Sequence, residues 1–551
     1  MSELKTAHKA LTVWSETMPD REFLHQPIDG RLRVTTFGEA EDQARRMATA
    51  LLSLGMKPGD KVAILAKNSA EWVLADTAIA MAGLVSVPIY PTASADTVAY
   101  IIDHSETKAI FVGKLDEPEA IGSAMPGALP TIAFPYPTTA CRYDWRDLIE
   151  NAEPLAEPNR PAPEDVMTIL YTSGSTGRPK GVVISYRAYV YGCNAALGVM
   201  DIGTEDRVLS YLPLSHVTER MALVGPSIYA GAKIFFVESL RTFVHDLKTA
   251  RPTGFGSVPR LWVKFQTGIH AKIPPARLRL LLAIPLVGRV VARRIRDGMG
   301  FEDCRKFASG SAPISPHTLR WYQKLGIDIG EGWGMSETSG LSCANIPFEA
   351  RRLGTIGVPV EGTELMISGE GELLIRSPGL FTEYFKQPEL TAEAFTEDGF
   401  FHTGDRAEWD AERSGYRITG RVKDIFKTAK GKYVAPVPIE ARLSANPLLE
   451  QVCVLGAGMP APAAVVVLTD AAQQLPEEKV EKSLESTLTD TNKNLESHER
   501  LSGIIIVDDE WTTENGLLTP TLKIKRDELE ARYGSTVGKK PGRPVAWERE
   551  L

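Results

Sequence analysis

The segment from Tyr171 to Val182, YTSGSTGRPKGV, concentrates residue types that bind phosphate. Small side chains let backbone N–H groups approach phosphate oxygens closely, hydroxyl groups add hydrogen-bond donors, and a lysine adds positive charge. The spacing differs from the GxxxxGK[ST] loop of mononucleotide kinases, and no Ser or Thr follows the lysine. The segment therefore predicts a polyphosphate loop of another kind, with a Gly/Ser-rich loop that binds no ligand as the alternative. The candidate nucleotide-binding residues in it are Thr172, Ser173, Gly174, Ser175, Thr176, Gly177 and Lys180.

Five further segments agree with a nucleotide site. In chain order they are SGSAPIS (309–315), GWGMSET (332–338), FHTGD (401–405), YRITGRVKDIFKTAKGKYVAP (416–436) and LTPTLKIKR (518–526). Together with 171–182, they resemble the motifs of the adenylate-forming superfamily, which includes acyl-CoA synthetases, luciferases and nonribosomal adenylation domains. The resemblance spans essentially the whole chain. It implies ATP, Mg²⁺ and coenzyme A as cofactors.

The resemblance also implies roles for single residues around the nucleotide. Glu337 resembles the family's magnesium-contacting glutamate, and a hard cation that bridges phosphates suits a carboxylate ligand. Trp333 stands where the family often has Tyr beside adenine, and Ser336 stands where it often has Thr. An ordinary surface glutamate is the alternative for Glu337. The same motifs add Gly310, Ser311, Ala312 and Gly334 to the predicted nucleotide-binding residues.

Asp405 and Arg421 are the predicted ribose contacts. Asp405 resembles the aspartate that accepts hydrogen bonds from both ribose hydroxyls, since one carboxylate has two acceptor oxygens for a vicinal diol. Arg421 resembles the arginine that reaches the ribose or phosphate with its fork of donors. The alternative for either residue is a solvated salt bridge.

Near the end of the chain, Lys523 resembles the lysine that contacts the α-phosphate and the substrate carboxylate during adenylation. A cation there stabilises negative charge that develops on phosphorus oxygens. Lys525 lies two residues further on and is the alternative assignment. Lys423 and Asp424 resemble the hinge of a mobile small domain. Gly431 resembles part of a loop that lines the tunnel for the pantetheine arm of coenzyme A.

Three segments point to the acid that is activated. PIYPTAS (88–94), LPLSHVTER (212–220) and NGLLTPTLKIKR (515–526) resemble the long-chain acyl-CoA synthetase branch rather than the acetate, aryl or amino-acid branches. His216 falls where the family has an aromatic residue or a histidine beside the acyl carboxylate. A core histidine with satisfied hydrogen bonds is the alternative. Glu337, His216 and Lys523 are therefore the predicted catalytic residues.

The elements that must position these residues follow an α/β pattern. Short apolar, β-branched runs such as KVAIL (61–65) and MTILY (167–171) alternate with helix-like segments up to about residue 330, which favours buried sheets between helices. Short strands with frequent turns from about residue 360 predict a β-rich subdomain. The remainder predicts a small α+β domain and a basic tail, and the resemblance implies that this domain is mobile. We place the boundary between an AMP-binding and acyl-substrate domain, residues 1–421, and a lid domain, residues 422–551.

Composition excludes several classes of protein. The 551 residues include 62 Lys and Arg and 70 Asp and Glu, a formal net charge of −8, so a general nucleic-acid binder is not expected. The five cysteines form no CxxC pair, which argues against a disulfide framework or a cysteine zinc site. The first residues lack the apolar core of a signal peptide. The longest uncharged stretch, 77–95, is interrupted by Pro and Gly, so it predicts a buried helix followed by a strand rather than a membrane span. We expect a cytoplasmic protein.

The segment 277–296, RLRLLLAIPLVGRVVARRIR, has six arginines and no acidic residue. One interpretation is an interfacial element that contacts anionic lipid, which would make the protein peripheral at a membrane. The other is a helix pair that bends at Pro285 and Gly288, with its apolar face on the core and its arginines in solvent.

The resemblance implies an ATP-dependent fatty acid:CoA ligase that forms acyl-adenylate and pyrophosphate, then acyl-CoA and AMP. Its expected partners are fatty acid, ATP and coenzyme A, without nucleic acid. Alternatives are transfer to a carrier-protein thiol, β-lactone formation, luciferase-like oxidation, or a nucleotide-binding relative without catalysis. Acyl chain length stays open, as does the oligomeric state, for which a homodimer is one alternative.

Overall fold

The computed structural model describes residues 4–122, 124–136, 138–172, 178–513, 515–519, 523–539 and 543–551. These residues form a mixed α/β fold, which confirms the predicted fold class. Five predicted phosphate-binding residues lie outside the described part of the chain: Ser173, Gly174, Ser175, Thr176 and Gly177.

An eight-stranded sheet carries the strands on both sides of the glycine-rich segment. The strand before it, Val166–Thr172, pairs antiparallel with the strand after it, Lys180–Ser185, and Thr172 lies opposite Lys180. The sheet therefore holds the two ends of the segment side by side. The strand order is Glu383–Tyr384, Lys180–Ser185, Val166–Thr172, Val85–Ile89, Lys61–Ala66, Thr107–Gly113, Thr131–Ala133 and Tyr143–Asp144.

The helix Ala70–Met81 packs between this sheet and a second one. All of its residues are buried, and the Ser69 side chain caps it by accepting a hydrogen bond from the Trp72 N–H. With the buried strand Val85–Ile89, it confirms the buried helix and strand predicted for the uncharged stretch. The second sheet has the order Arg207–Ser210, Lys233–Phe236, Glu22–Ile28 and Arg31–Thr36.

A five-stranded sheet carries the GWGMSET motif. Its third strand contains Gly334, where a Cβ atom would lie 1.6 Å from the carbonyl oxygen of Gly340. Only a residue without a side chain permits this close approach of the two strands. The strand order is Gly254–Ser257, Lys306–Ser309, Ile329–Met335, Gly340–Ala344 and Val358–Pro359.

The predicted β-rich subdomain is an antiparallel four-stranded sheet with the order Glu364–Ile367, Glu372–Arg376, Phe401–Asp410 and Gly415–Arg421. After it comes a two-stranded sheet of Phe426–Lys427 and Tyr433–Val434. A last sheet has the strand order Leu449–Leu455, Ala463–Leu468, Ile504–Ile506 and Val545–Trp547. The last sheet packs within apolar clusters formed only by residues 426–551. The segment predicted as a basic tail contributes a helix and the strand Val545–Trp547, because its apolar residues are buried there.

Helices cover the sheets on their outer faces and between them. The α-helices are Ala7–Thr17, Phe37–Ser53, Ala70–Met81, Ala95–Ser105, Pro118–Gly122, Trp145–Glu150, Tyr186–Met200, Val217–Glu219, Gly225–Ala230, Phe243–Ala250, Pro259–Lys272, Pro275–Ala283, Pro285–Met299, Pro316–Gln323, Pro388–Glu393, Pro436–Leu443, Asp470–Gln473, Glu477–Lys493 and Arg526–Gly538. The segment 277–296 is thus a helix pair. Within the described ranges, no helix has both the length and the apolar composition needed to cross a bilayer.

Candidate active site

A cleft of about 2260 Å³ is lined by residues from both sides of the predicted boundary at residue 421. It brings together most of the predicted site residues that the structure describes. Those that line it are Thr172, Lys180, His216, Ser311, Ala312, Trp333, Gly334, Ser336, Glu337, Asp405, Arg421 and Lys523. Gly310 and Gly431 are not part of its lining.

Asp405 and Arg421 lie opposite each other on adjacent antiparallel strands. The Arg421 Nε lies 3.0 Å from Asp405 Oδ1, and the Trp333 Nε1–H donates to Asp405 Oδ2 at 2.8 Å. The Asp405 carboxylate is buried, and each of its oxygens retains a further lone pair. A carboxylate held in this way can accept two hydrogen bonds from a vicinal diol, and the Trp333 ring lies beside it.

Glu337 begins a second cluster, at the 3₁₀ turn that follows the strand Ile329–Met335. Its buried Oε1 lies 3.4 Å from the Lys180 Nζ and accepts a hydrogen bond from the Tyr384 hydroxyl at 3.1 Å. The Lys180 ammonium also lies 3.9 Å from the centre of the Tyr384 ring. Burial, with the Glu337 carboxylate beside it, raises the pKa of the Tyr384 hydroxyl, so Tyr384 stays a neutral donor.

The surroundings of Glu337 suit a magnesium ion only when a nucleotide is bound as well. The described residues contain no group of three or more His, Cys, Asp or Glu side chains placed to hold a metal. Mg²⁺ is usually bound by one or two carboxylates with phosphate oxygens and waters as its other ligands. One buried carboxylate beside Lys180, the predicted phosphate-binding lysine, fits that pattern. The Thr172 hydroxyl, buried and unpartnered within the described chain, is a further polar group left for a ligand.

Lys523 reaches the same cleft from the carboxy-terminal part of the chain. Burial and the charge of Arg421 lower its pKa, whereas the Asp405 and Glu337 carboxylates act in the opposite direction. The side chain stays accessible to solvent because it lies in an open cleft, although protein surrounds it. A turn holds the residue in place, since Lys523 N–H donates to Thr519 Oγ1 at 3.1 Å. Lys525 also lines the cleft.

His216 lies at the start of the short helix Val217–Glu219. Its Nδ1 accepts a hydrogen bond from the Thr218 N–H at 3.2 Å, so the neutral ring carries its proton on Nε2. Burial, and then the charge of Lys523, lowers the pKa of His216 to about 3. The ring is therefore neutral near pH 7 and can donate one hydrogen bond. It lines the cleft with one nitrogen satisfied, which differs from a fully satisfied core histidine.

Two buried ionisable residues that the sequence did not single out, Glu219 and Arg220, hold the His216 loop. Glu219 Oε1 accepts a hydrogen bond from the Tyr211 N–H at 2.9 Å. Arg220 donates to both Asp76 oxygens, at 3.0 Å and 2.6 Å. Glu219 and Arg220 lie within the segment LPLSHVTER, and its resemblance to the long-chain branch was the only sequence signal that could have identified them. Tyr384 was also missed, because a lone tyrosine far from the motifs carries no signal.

Gly431 lies in the turn between Phe426–Lys427 and Tyr433–Val434, with a positive φ of 75° that favours glycine. It is away from the cleft, so its assignment to a pantetheine tunnel stays a prediction. Gly310 lies behind the cleft wall and donates its N–H to the Ser257 carbonyl at 3.3 Å. At the predicted hinge, the Asp424 Oδ2 lies 3.8 Å from the Arg526 Nε.

Comparison with known proteins assigns most of the chain to described families. Residues 11–385 match the family described as AMP-binding enzyme, and residues 423–539 match the AMP-binding enzyme C-terminal domain.

Similar proteins cover nearly the whole chain. A long-chain-fatty-acid–CoA ligase of Mycobacterium bovis is 30% identical, with 94% of each chain covered. Fatty acyl-CoA synthetase A of Dictyostelium discoideum is also 30% identical and covers 94% of this chain and 87% of its own length. Among solved structures, the adenylation domain of a carboxylate reductase from Mycobacterium chelonae has a TM-score of 0.82 at 24% identity, with 97% of this chain and 90% of that chain covered. That structural likeness supports the fold alone.

Proposed function

Because the chain belongs to the AMP-binding enzyme family, we propose that it is an ATP-dependent fatty acid:CoA ligase whose active site is the cleft described above. Relatives named as long-chain fatty acyl ligases match along nearly its full length, which supports a fatty acid as the substrate. The observation that carries the proposal is the meeting of Lys523 with Glu337, Asp405 and Arg421 in one cleft.

The nucleotide is held from three sides. Asp405 accepts hydrogen bonds from the ribose hydroxyls, and Arg421 orients Asp405 through its ion pair. Trp333 packs beside the adenine. Lys180 and the Thr172 hydroxyl bind phosphate oxygens. Glu337 is the residue that would hold Mg²⁺, which when bound neutralises charge on the phosphates.

Adenylation is the first half-reaction. A carboxylate oxygen of the fatty acid forms a bond to the α-phosphorus of ATP, and the bond from that phosphorus to the leaving pyrophosphate breaks. Lys523 stabilises the negative charge on the phosphorus oxygens and binds the acid's carboxylate. The neutral His216 donates its Nε2–H to the same carboxylate and orients it without adding charge.

Thioester formation is the second half-reaction. The thiolate sulfur of coenzyme A attacks the acyl carbon, and AMP leaves with the oxygen it shares with the acyl group. Residues 422–551 turn about Lys423 and Asp424 between the two steps, which removes Lys523 from the cleft and brings the Gly431 turn to it. The present positions of Lys523 inside the cleft and Gly431 outside it support assignment of this structure to the adenylation step.

The test is product analysis with purified protein, ATP, magnesium and a long-chain acid such as palmitate. We expect AMP and palmitoyl-CoA in equal amounts when coenzyme A is present, and a slower release of AMP without it. Formation of AMP with no thioester would reject coenzyme A as the acceptor. A lack of AMP with every acid tested would reject the adenylation proposal itself.

A further inference from the structure

The helices Pro275–Ala283 and Pro285–Met299 form a hairpin at the protein surface, here called the arginine hairpin (residues 275–299). Its corner is tight, because a Cβ atom at Gly288 would lie 2.7 Å from the Leu282 carbonyl oxygen. The buried side of the hairpin consists of Leu278, Gly288, Ala292 and Met299.

Several large apolar side chains of the hairpin face solvent instead of the core. Leu280 is 67% exposed, Leu286 76% and Val290 52%, and Ile284 and Val287 are also exposed. The expectation that a helix pair would pack its whole apolar face on the core is therefore wrong for these five residues. Exposed apolar residues are usually scattered singly, whereas these lie between residues 280 and 290, and such a concentration is typical of an interaction surface.

The same surface is strongly basic although the chain as a whole has a net charge of −8. The six arginines of the hairpin are at least partly exposed, and no acidic residue lies between Arg277 and Arg296. Arg293 lies 3.7 Å from Asp297, an exposed pair one helical turn apart that neutralises little. The arginines are Arg277, Arg279, Arg289, Arg293, Arg294 and Arg296.

We propose that the arginine hairpin docks on an anionic phospholipid surface. Interfacial helices have a basic polar face and an apolar face, and they lie in the plane of the bilayer surface with the apolar side chains at the boundary between headgroups and acyl chains. The arginine hairpin exposes both kinds of side chain. The arginines then contact lipid phosphates. A second copy of the chain is the less favourable occupant, because a two-fold contact would bring six arginines against six identical arginines.

The position of the hairpin gives such docking a use. The helix Pro259–Lys272 starts at the cleft, which Pro259 lines, and runs about 21 Å towards the hairpin. A long-chain acid is concentrated in bilayers, so a docked enzyme would meet its substrate there. This use rests on the proposed function, whereas the binding itself does not.

The experiment measures co-sedimentation of the full-length protein with vesicles and without substrate. Vesicles of phosphatidylcholine alone are compared with vesicles that also contain phosphatidylglycerol. We expect binding to the anionic vesicles that weakens as salt is raised. The double variant Leu280→Ser/Leu286→Ser should lower the partition coefficient by at least about tenfold, and Arg289→Gln and Arg294→Gln by about fivefold each.

Matched controls are Leu32→Ser, which changes a leucine that is 42% exposed on the strand Arg31–Thr36, and Arg160→Gln, which removes an exposed charge outside the hairpin. Both controls should bind like the parent protein. The arginine variants remove no buried atom, so they keep the test valid if the leucine variants unfold. Thermal unfolding and AMP release with a short, water-soluble acid verify the fold and the site of each variant.

Equal binding to both kinds of vesicle would contradict the proposal, as would hairpin variants that bind like the parent. Absence of vesicle binding together with a dimer that Leu286→Ser dissociates would assign the surface to self-association. Absence of vesicle binding together with retention on an acidic peptide would assign it to a protein partner. Because no substrate is present, loss of vesicle binding and failure of the ligase activity are separate results.

Discussion

At the scale of single residues, the cleft is an arrangement of opposite charges that a nucleotide would complete. Lys523 and Arg421 are cations, and Asp405 and Glu337 are anions that favour the charged form of Lys523. Each anion also has a second protein partner, since Asp405 binds Trp333 and Glu337 binds Tyr384. The cluster is thus preorganised before any ligand arrives, which is how electrostatic stabilisation gains most of its effect on rate.

The first prediction concerns Lys523. The variant Lys523→Ala should lower the rate of acyl-adenylate formation by about 10²- to 10³-fold, because it removes the cation that we propose stabilises charge at the α-phosphate. The same variant should still convert a synthetic acyl-adenylate to the thioester. Each half-reaction is measured separately by pyrophosphate release and by thioester formation.

Lys525→Ala is the matched control, because it removes an equivalent charge two residues away in the same cleft. We expect it to retain most of its adenylation rate. If Lys525→Ala loses adenylation while Lys523→Ala keeps it, the roles of the two lysines are reversed.

The second prediction concerns Glu337. The variant Glu337→Gln retains an acceptor oxygen for the Tyr384 hydroxyl but loses the charge that suits a divalent cation. We expect the magnesium concentration for half-maximal adenylation to rise by roughly tenfold or more. The thermal unfolding midpoint should stay near that of the parent. Glu364→Gln, which changes an exposed glutamate paired with Arg376, is the control, and an unchanged magnesium requirement in Glu337→Gln would refute the assignment.

At the scale of elements, the loop of His216 depends on two buried ionisable side chains. Arg220 ties the loop to Asp76 on the helix Ala70–Met81 and to Thr168 on the strand Val166–Thr172. Glu219 folds back on the backbone of Tyr211. Burial raises the pKa of Glu219 to about 8, so the carboxyl keeps its proton near neutral pH.

The third prediction follows from that pKa. The folded protein keeps a proton on Glu219 up to about pH 8, whereas the unfolded chain releases it near the ordinary value of 4.5. The folded state thus binds more protons between these values, so this residue makes stability fall as pH rises from 4.5 to 8. Glu219→Gln keeps the acceptor for Tyr211 N–H and has no proton to lose. The unfolding midpoint of Glu219→Gln should therefore increase relative to that of the parent protein as pH rises.

Glu331 makes a similar contribution, because burial raises its pKa to about 8 as well, so the slope becomes smaller in Glu219→Gln rather than zero. Thermal unfolding at pH 5 to 8 is the measurement. Parallel pH profiles for Glu219→Gln and the parent would show that Glu219 is ionised in the folded state.

The sequence was most informative where function depends on neighbours along the chain. The motifs around Glu337, Asp405 and Lys523 could be located because each is a short run with its own residue pattern. Tyr384 could not be found in this way, because it reaches Glu337 from a two-residue strand 47 positions away. The partnership of Arg220 with Asp76 spans 144 positions and depends on how two helical segments from separate parts of the chain pack together.

At the scale of the whole molecule, the position of residues 422–551 decides which predicted residues meet. Lys523 lies in the cleft and Gly431 outside it, an outcome that no local pattern encodes because it depends on the relative placement of two parts of the chain. Arg260 and Glu450 form an ion pair between the parts of the chain before and after residue 421. Arg526 holds Glu440 at 2.8 Å and lies near Asp424, beside the predicted hinge. The domain boundary at residue 421 stays a prediction.

The last prediction concerns the length of the fatty acid. Each methylene buried in an apolar acyl site should contribute roughly 0.8 kcal/mol until the site is filled. Four extra methylenes then give about 3 kcal/mol, or roughly a hundredfold in kcat/KM. We expect kcat/KM to rise steeply from acetate through medium-chain acids and to level among long or medium-long acids, as the long-chain-like segments 88–94 and 212–220 indicate.

The measurement is kcat/KM across even-numbered acids, with detergent held constant so that micelles do not change the free concentration of the longer ones. Benzoate is included as an aryl acid, to compare a ring with the linear chains of the fatty acids. An optimum at acetate, or a preference for benzoate over every fatty acid, would refute a long-chain substrate. It would leave the adenylation proposal in place, since the roles proposed for Lys523, Glu337 and Asp405 concern the nucleotide and the carboxylate group, which are the same for every acid. The chain length at which kcat/KM levels off could also shift when vesicles are added to the assay. That result would indicate that delivery of the acid, rather than the length of its binding site, limits the rate for the longest chains.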